Sequence, residues 1–444
     1  MAEALTRGLI GLLRRPVGAA DRQRAARHVL DWLGCAAAGL TTPPGQAMLG
    51  WARTLPAGGC ATVGGLRLTS RDAAFVNGCV GNVLEMDDFY RAALVHPGPV
   101  VVPAALAVAE EIGAPADALL DAVVRGCEAM IRLGRSVGPA HYKFFHNTAT
   151  CGVFGSAAAA GFLYGLDDDR LVDALGNAGT QASGLWQCRL EDSMTKQLHN
   201  GRAAQSGLIA AQLARHGFTG PAQILEGPLG FYNAMCPDGW PDKLLAEPDA
   251  PWLIHGTSFK PWPACRHTHA TIDAALAARA DVGAAEIRRV VVETYRDAVA
   301  LCDNPRPATA VEAKFSLQHA SAAVLLRGLP TLDDFDVPAT RDPTIAALRA
   351  KVELQERPAY SAAYPAHFAG SLRIELADGR TVTREVPDAW GDPENPLPVE
   401  ALGAKARMLL AAAGYPRDTA DGLVAAALAL ASGGTLAALT CQLR

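Results

Sequence analysis

Eleven residues, Asp192-Ser-Met-Thr-Lys-Gln-Leu-His-Asn-Gly-Arg202, carry Lys196, His199 and Arg202 at intervals of three. Residues three apart on a helix project to one side, so this run predicts a compact cationic face suited to an anionic ligand. Lysine is otherwise scarce: only seven of the 40 Lys and Arg residues are Lys. In a chain that uses Arg for ordinary surface charge, a retained Lys reads as wanted for its compact, tunable ammonium.

Four other polar clusters stand out from the apolar text. Glu85, Asp87 and Asp88 place three carboxylates in four residues, and the turn Val95-His96-Pro97-Gly98-Pro99 follows them. His146 lies in Phe144-Phe145-His146-Asn147-Thr148, just before a small-residue helix. Lys260, Cys265, Arg266, His267 and His269 share one short stretch, and Lys314-Phe-Ser316-Leu-Gln-His319 opens another helix. Gly-rich phosphate loops, GxSxG elbows, HExxH pairs and CxxC pairs are missing from the sequence. Neither a nucleotide cofactor nor a metal is expected. Lys, His, Arg and carboxylates without a cofactor suit proton transfer at a carbon beside a carboxylate, in which a base takes the proton and cations hold the developing charge.

Helical spacing positions most of these groups. Residues 73–84, 99–112, 117–137, 149–163, 168–182 and 202–215 carry apolar residues at helical intervals, and β-branched alternation is nearly absent, so the first 256 residues read as all-helical. The texture changes after His255. Residues 287–295 are β-rich, 313–327 are helical, and 372–376 and 381–386 alternate in period two around Asp378-Gly379, a hairpin signal. The fold expected is mainly α: a helical domain over 1–256, a smaller α+β domain over 257–395, and a return to the helical domain over 396–444 after the Pro-rich joint 391–398.

With 444 residues, 50% of them hydrophobic, the chain can bury a large core. The net charge of −5 and dispersed basic residues exclude a nucleic-acid footprint. No apolar run is long enough to span a bilayer. The first 39 residues read as amphipathic helix without the zones of a signal peptide, so a cytoplasmic location is expected.

Several blocks in one order resemble the MmgE/PrpD family along nearly the whole chain: VNGCVGNVLEMDDFY, HPGPVVVPAALAVAE, FHNTATCGVFGSAAAA, TKQLHNGRAA, FKPWPACRHTHATID and CDNPRPATAVEAKFSLQHA. The family includes 2-methylcitrate dehydratases, cis-aconitate decarboxylases and iminodisuccinate epimerase. The resemblance implies a helical domain with an inserted α+β lid, a homodimer, no cofactor, and a small di- or tricarboxylate as substrate. It places the family's acidic position on Glu85, followed by Asp87 and Asp88, and its site histidines on His96 and His146. Its lysines fall on Lys196 and Lys260, and a family tyrosine falls on His319. Phe89 stands where the decarboxylases carry Thr, and Cys265 where they carry His. These departures argue against a decarboxylase and leave a dehydratase, the leading expectation, and an epimerase open. The intact Lys196, His146 and His96 argue against a non-catalytic carboxylate binder. In that reading Lys196, Lys260, Arg202 and Arg266 bind carboxylates, with His199 and Cys265 beside them. His96 or His146 takes the α-proton, Glu85, Asp87 and Asp88 orient it, and His319 assists hydroxide departure.

Overall fold

The structure, a computed structural model, describes residues 4–191 and 193–443, and Asp192, which opens the run ending at Arg202, lies outside the described residues. The chain divides into two compact units, 1–257 with 398–444, and 258–397. The fold class is mainly α, a large helical unit and a smaller α+β one.

In the first unit, α1 (Ala19–Gly39) is followed by a short hairpin, β1 (Ala57–Ala61) and β2 (Arg67–Leu68). Then come α2 (Ser70–Val80), α3 (Gly98–Ile112), α4 (Ala116–Gly134), α5 (Asn147–Leu163), α6 (Asp168–Gly179) and α7 (Thr195–Arg215). The hairpin escapes sequence reading because its first strand, AGGCA, is made of small residues: any side chain at Gly58 would overlap the Leu68 backbone. Helices α3 and α5 are buried over nearly their full length, which is why their hydrophobicity runs all round rather than along one stripe. Helix α7 packs against α5, α2 and α6. Its glycines allow this close approach, since a Cβ at Gly207 would overlap Ser156 Oγ and the Val153 carbonyl, and one at Gly201 would overlap Cys79 and the Phe75 carbonyl. The helix begins seven residues before the expected start at 202, so Lys196 and His199 lie in its first turns.

The second unit carries a four-stranded sheet ordered β4-β3-β5-β6, from β3 (Ile287–Thr294), β4 (Val352–Glu356), β5 (Gly370–Leu376) and β6 (Thr381–Val386). β3 pairs with β4 in parallel and with β5 antiparallel, and β5 and β6 form the hairpin around Gly379, whose φ is 88°. Helices α8 (His269–Val282) and α9 (Leu317–Arg327) cover the sheet, burying Val290, Val292, Leu372 and Ile374 against Ile272, Leu317 and Val324. The single helix expected over 313–327 is instead broken at Phe315 and Ser316, where Ser316 Oγ accepts the His319 amide (3.0 Å) and caps α9.

The chain then returns to the first unit as α10 (Val399–Ala412) and α11 (Arg417–Ala429), with α10 packed on α1. Among the described residues no helix is long and apolar enough to cross a membrane.

Candidate active site

In the segment after α2, Glu85 adopts a left-handed backbone with φ 60°. A left-handed non-glycine residue costs about 1–3 kcal/mol and persists only where its surroundings fix it. Here the Glu85 carboxylate forms an ion pair with Lys196 Nζ, from the first turn of α7. Burial pulls the Lys196 ammonium down, but the charge and hydrogen bond of Glu85, with Asp87 beyond, hold it above the ordinary lysine value. Lys196 is therefore a fixed cation near neutral pH, with its side chain 24% exposed.

Asp87 accepts a hydrogen bond from Asn82 Nδ2 (2.6 Å) and lies 2.8 Å from His96 Nδ1. That second contact is off the line of a good hydrogen bond and acts as a charge contact. The tight return from Tyr90 to Val95, with Leu94 at φ 52°, brings His96 back to Asp87. The His96 amide donates to Thr148 Oγ1 (3.2 Å), and its ring packs 5.0 Å from Phe89. With Asp87 beside Nδ1, Nε2 is the ring nitrogen placed for proton transfer. Asp88 faces elsewhere. It contacts His28 Nδ1 (2.7 Å) and accepts the Gly98 amide at 2.9 and 3.1 Å, bracing the His-Pro-Gly turn at the start of α3.

His146 precedes α5, its amide bonded to the Gly184 carbonyl (2.8 Å) beside the Phe145–Leu185 bridge. Its Nδ1 lies 3.3 Å from His199 Nδ1, and Trp186 covers its ring at 4.3 Å. Burial first, then the charges of Lys196, His199 and His96, push the His146 imidazole well below its ordinary value. Burial and then the charge of Lys196 also lower His199. Two neutral imidazoles in Nδ1 contact share one proton, so one donates and the other accepts. Among the described residues, Trp186 Nε1 and Asn147 Oδ1 are buried beside these rings without a hydrogen-bond partner.

One fixed cation, two neutral imidazoles, and a third imidazole backed by a carboxylate thus meet at the start of α7. Two protein domain families match this chain: the MmgE/PrpD N-terminal domain over residues 15–242 and the MmgE/PrpD C-terminal domain over 262–429. The chain belongs to the MmgE/PrpD family. It is 31% identical over 403 residues to cis-aconitate decarboxylase of Homo sapiens, covering 87% of this chain and 82% of that protein. It is 27% identical to cis-aconitate decarboxylase of Aspergillus terreus, covering 87% and 84%. Against 2-methylcitrate dehydratase of Cupriavidus necator it is 26% identical, covering 59% and 55%.

The remaining expected residues of this MmgE/PrpD chain have other partners. Arg202 is exposed on α7 and donates to Gln205 Oε1 (2.8 Å); one helical turn beyond His199, it does not share the buried face. In the second unit, Arg266 is buried with Asp392 and His269 as partners, and Asp392 also accepts from Ser258 Oγ (2.5 Å). His319 is fully buried, its Nε2 2.8 Å from the Asp334 carbonyl oxygen and its Nδ1 accepting from Arg349 Nη1 (3.1 Å). Both its nitrogens are engaged by partners inside the second unit. Cys265 is buried beside Cys302, and Lys260 is buried in the same unit. Among the described residues one group could converge on a cation, His367, Asp388 and Glu394 of the second unit, whose spacing leaves no sequence motif. Surface depressions of about 450 Å³ around Arg327 and Asp336 and about 510 Å³ around Glu110 and Thr440 touch none of the clustered side chains.

Sequence reasoning missed Asn82, Thr148 and Trp186. Asn82 and Thr148 lay within the quoted blocks but carry no charge. Trp186 sits in a short 3-10 turn without periodicity.

Proposed function

We propose that this protein is a lyase for small di- or tricarboxylates, and that its leading reaction is decarboxylation of an unsaturated tricarboxylate such as cis-aconitate. The observation that carries the reading is the juxtaposition of a fixed cation, Lys196 on Glu85, with the buried neutral imidazole of His146. The ammonium neutralises a substrate carboxylate. The imidazoles of His146 and His96 exchange a proton with the carbon beside it. In decarboxylation one C–C bond breaks, its electron pair stays on the organic fragment, and a proton delivered to carbon replaces the lost carboxylate. The choice of decarboxylation reverses the preference drawn from Phe89, Cys265 and His319. It is supported by similarity to cis-aconitate decarboxylases over 87% of the chain, against a match to a dehydratase over 59% of it.

Dehydration of a hydroxylated acid such as 2-methylcitrate is the second reading. Phe89 favours it, because its ring packs on His96 where the decarboxylases carry a hydroxyl. There His146 takes the α-proton, and the leaving hydroxide departs as water with a proton from His96. Carbon dioxide release from carboxyl-labelled cis-aconitate, run beside ultraviolet detection of alkene formation from 2-methylcitrate, separates the two. Release of labelled gas supports the first reading, and alkene formation alone supports the second. Neither signal from folded protein overturns both.

A further inference from the structure

Outside the residues already assigned, a buried lysine reaches the site from behind. Lys405 of α10 donates from Nζ to Asp31 Oδ1 of α1 (2.6 Å) and to the Met86 carbonyl (2.5 Å). Lys405 is 6% exposed and Asp31 2%. Met86 itself is fully buried between Glu85, with its left-handed backbone, and Asp87, which faces His96. An ion pair in a helical core is weak evidence for stability, because well-packed apolar residues of the same volume serve packing as well or better. An apolar side chain cannot donate to a carbonyl, and this carbonyl belongs to the peptide between two site carboxylates.

We propose that Lys405, backed by Asp31, is a positioning residue that clamps the Met86 carbonyl and so holds Glu85 in the left-handed conformation from which it pairs with Lys196. The last helical segment of the chain thereby acts on the site without touching substrate. Asp31 supplies the counter-charge that keeps the ammonium in place, and burial, which alone would lower Lys405, is outweighed by that carboxylate. The inference rests on the site reading above but not on the identity of the substrate.

The test reads Lys196 directly. Reductive 13C-methylation labels the lysines of the full-length protein, and the Lys196 signal is assigned by its loss in Lys196→Arg. Its titration reports the pairing with Glu85 whether or not turnover occurs. Lys405→Met should lower the Lys196 midpoint towards that of Glu85→Gln, while Lys405→Arg, which keeps charge and donors, should restore it at least in part. Where a substrate is turned over, Lys405→Met should cost about tenfold or more in kcat/KM. The double variant Lys405→Met/Glu85→Gln should be no slower than Glu85→Gln alone, since residues acting through one another are non-additive. Asp31→Asn carries the same test if Lys405→Met fails to fold. An unmoved Lys196 midpoint, or losses that multiply in the double variant, overturns the clamp. A moved midpoint in a protein that turns over no carboxylate leaves the clamp standing and removes the lyase reading.

Discussion

Replacing Glu85 by Gln keeps the side-chain volume and removes only the charge opposite Lys196. The two side chains are 15% and 24% exposed, so the pair lies between a solvated bridge and a fully buried one. Truncating one partner of a buried charged hydrogen bond costs about 2–5 kcal/mol, and partial exposure puts this pair near the lower end, about 2 kcal/mol. Without that charge the Lys196 ammonium should titrate lower. The sign follows from the opposing effects: burial lowers Lys196 and Glu85 raises it, so loss of Glu85 leaves burial to prevail. The group that loses its proton on the basic limb of the rate profile then does so at lower pH. The kcat/KM for cis-aconitate should fall about 30-fold at neutral pH, the equivalent of about 2 kcal/mol, and the basic limb should move with it. A basic limb that stays where it is in the wild-type enzyme, with kcat/KM essentially unchanged, refutes the pairing as a functional device.

Other perturbations separate site from scaffold. His146→Asn should reduce kcat by about 100-fold or more, the ordinary scale of acid–base catalysis, with an unfolding midpoint close to wild type by thermal denaturation. Arg202→Ala should change kcat/KM by less than about twofold, because this side chain is solvent-facing and bonded to Gln205; a large loss would place Arg202 in the site. Stability should fall below pH 6.5. His28 and His146 are held neutral by burial, so the unfolded chain binds more protons there, and each contributes a loss of about 1.4 kcal/mol per pH unit. Urea unfolding at pH 7, 6 and 5 should show that decline, and a flat profile would mean that these rings protonate in the fold. Gly207→Ala should cost about 1–3 kcal/mol or more in the same assay, since its Cβ meets Ser156 and Val153.

The helical class was legible because residues such as 99–112 and 149–163 carry continuous apolar text, and the β5–β6 hairpin because Asp378-Gly379 divides two alternating runs. The β1–β2 hairpin and strand β4 were not. The first is built from glycine and alanine without β-branched residues, and the second pairs in parallel across a connection of more than 50 residues, which leaves no local signal. At the site, sequence spacing gave the residue types but not their directions. Lys196, His199 and Arg202 stand three apart, yet one turns to Glu85, one to His146 and one to solvent. Glu85, Asp87 and Asp88 divide in the same way among Lys196, His96 and His28. Those directions depend on the left-handed backbone at Glu85 and on the buried Lys405, which lies 319 residues from the carbonyl it holds.

The measurement that bears most directly on a polycarboxylate lyase centred on Lys196 and His146 is proton NMR of the purified protein in D2O. Cis-aconitate and 2-methylcitrate would be offered in turn to wild type and to Lys196→Ala. The predicted result is decay of one of these acids in the wild-type sample, with solvent deuterium at carbon in the product where decarboxylation occurs, and neither in Lys196→Ala. No decay and no exchange with either acid, or equal turnover by Lys196→Ala, would contradict it.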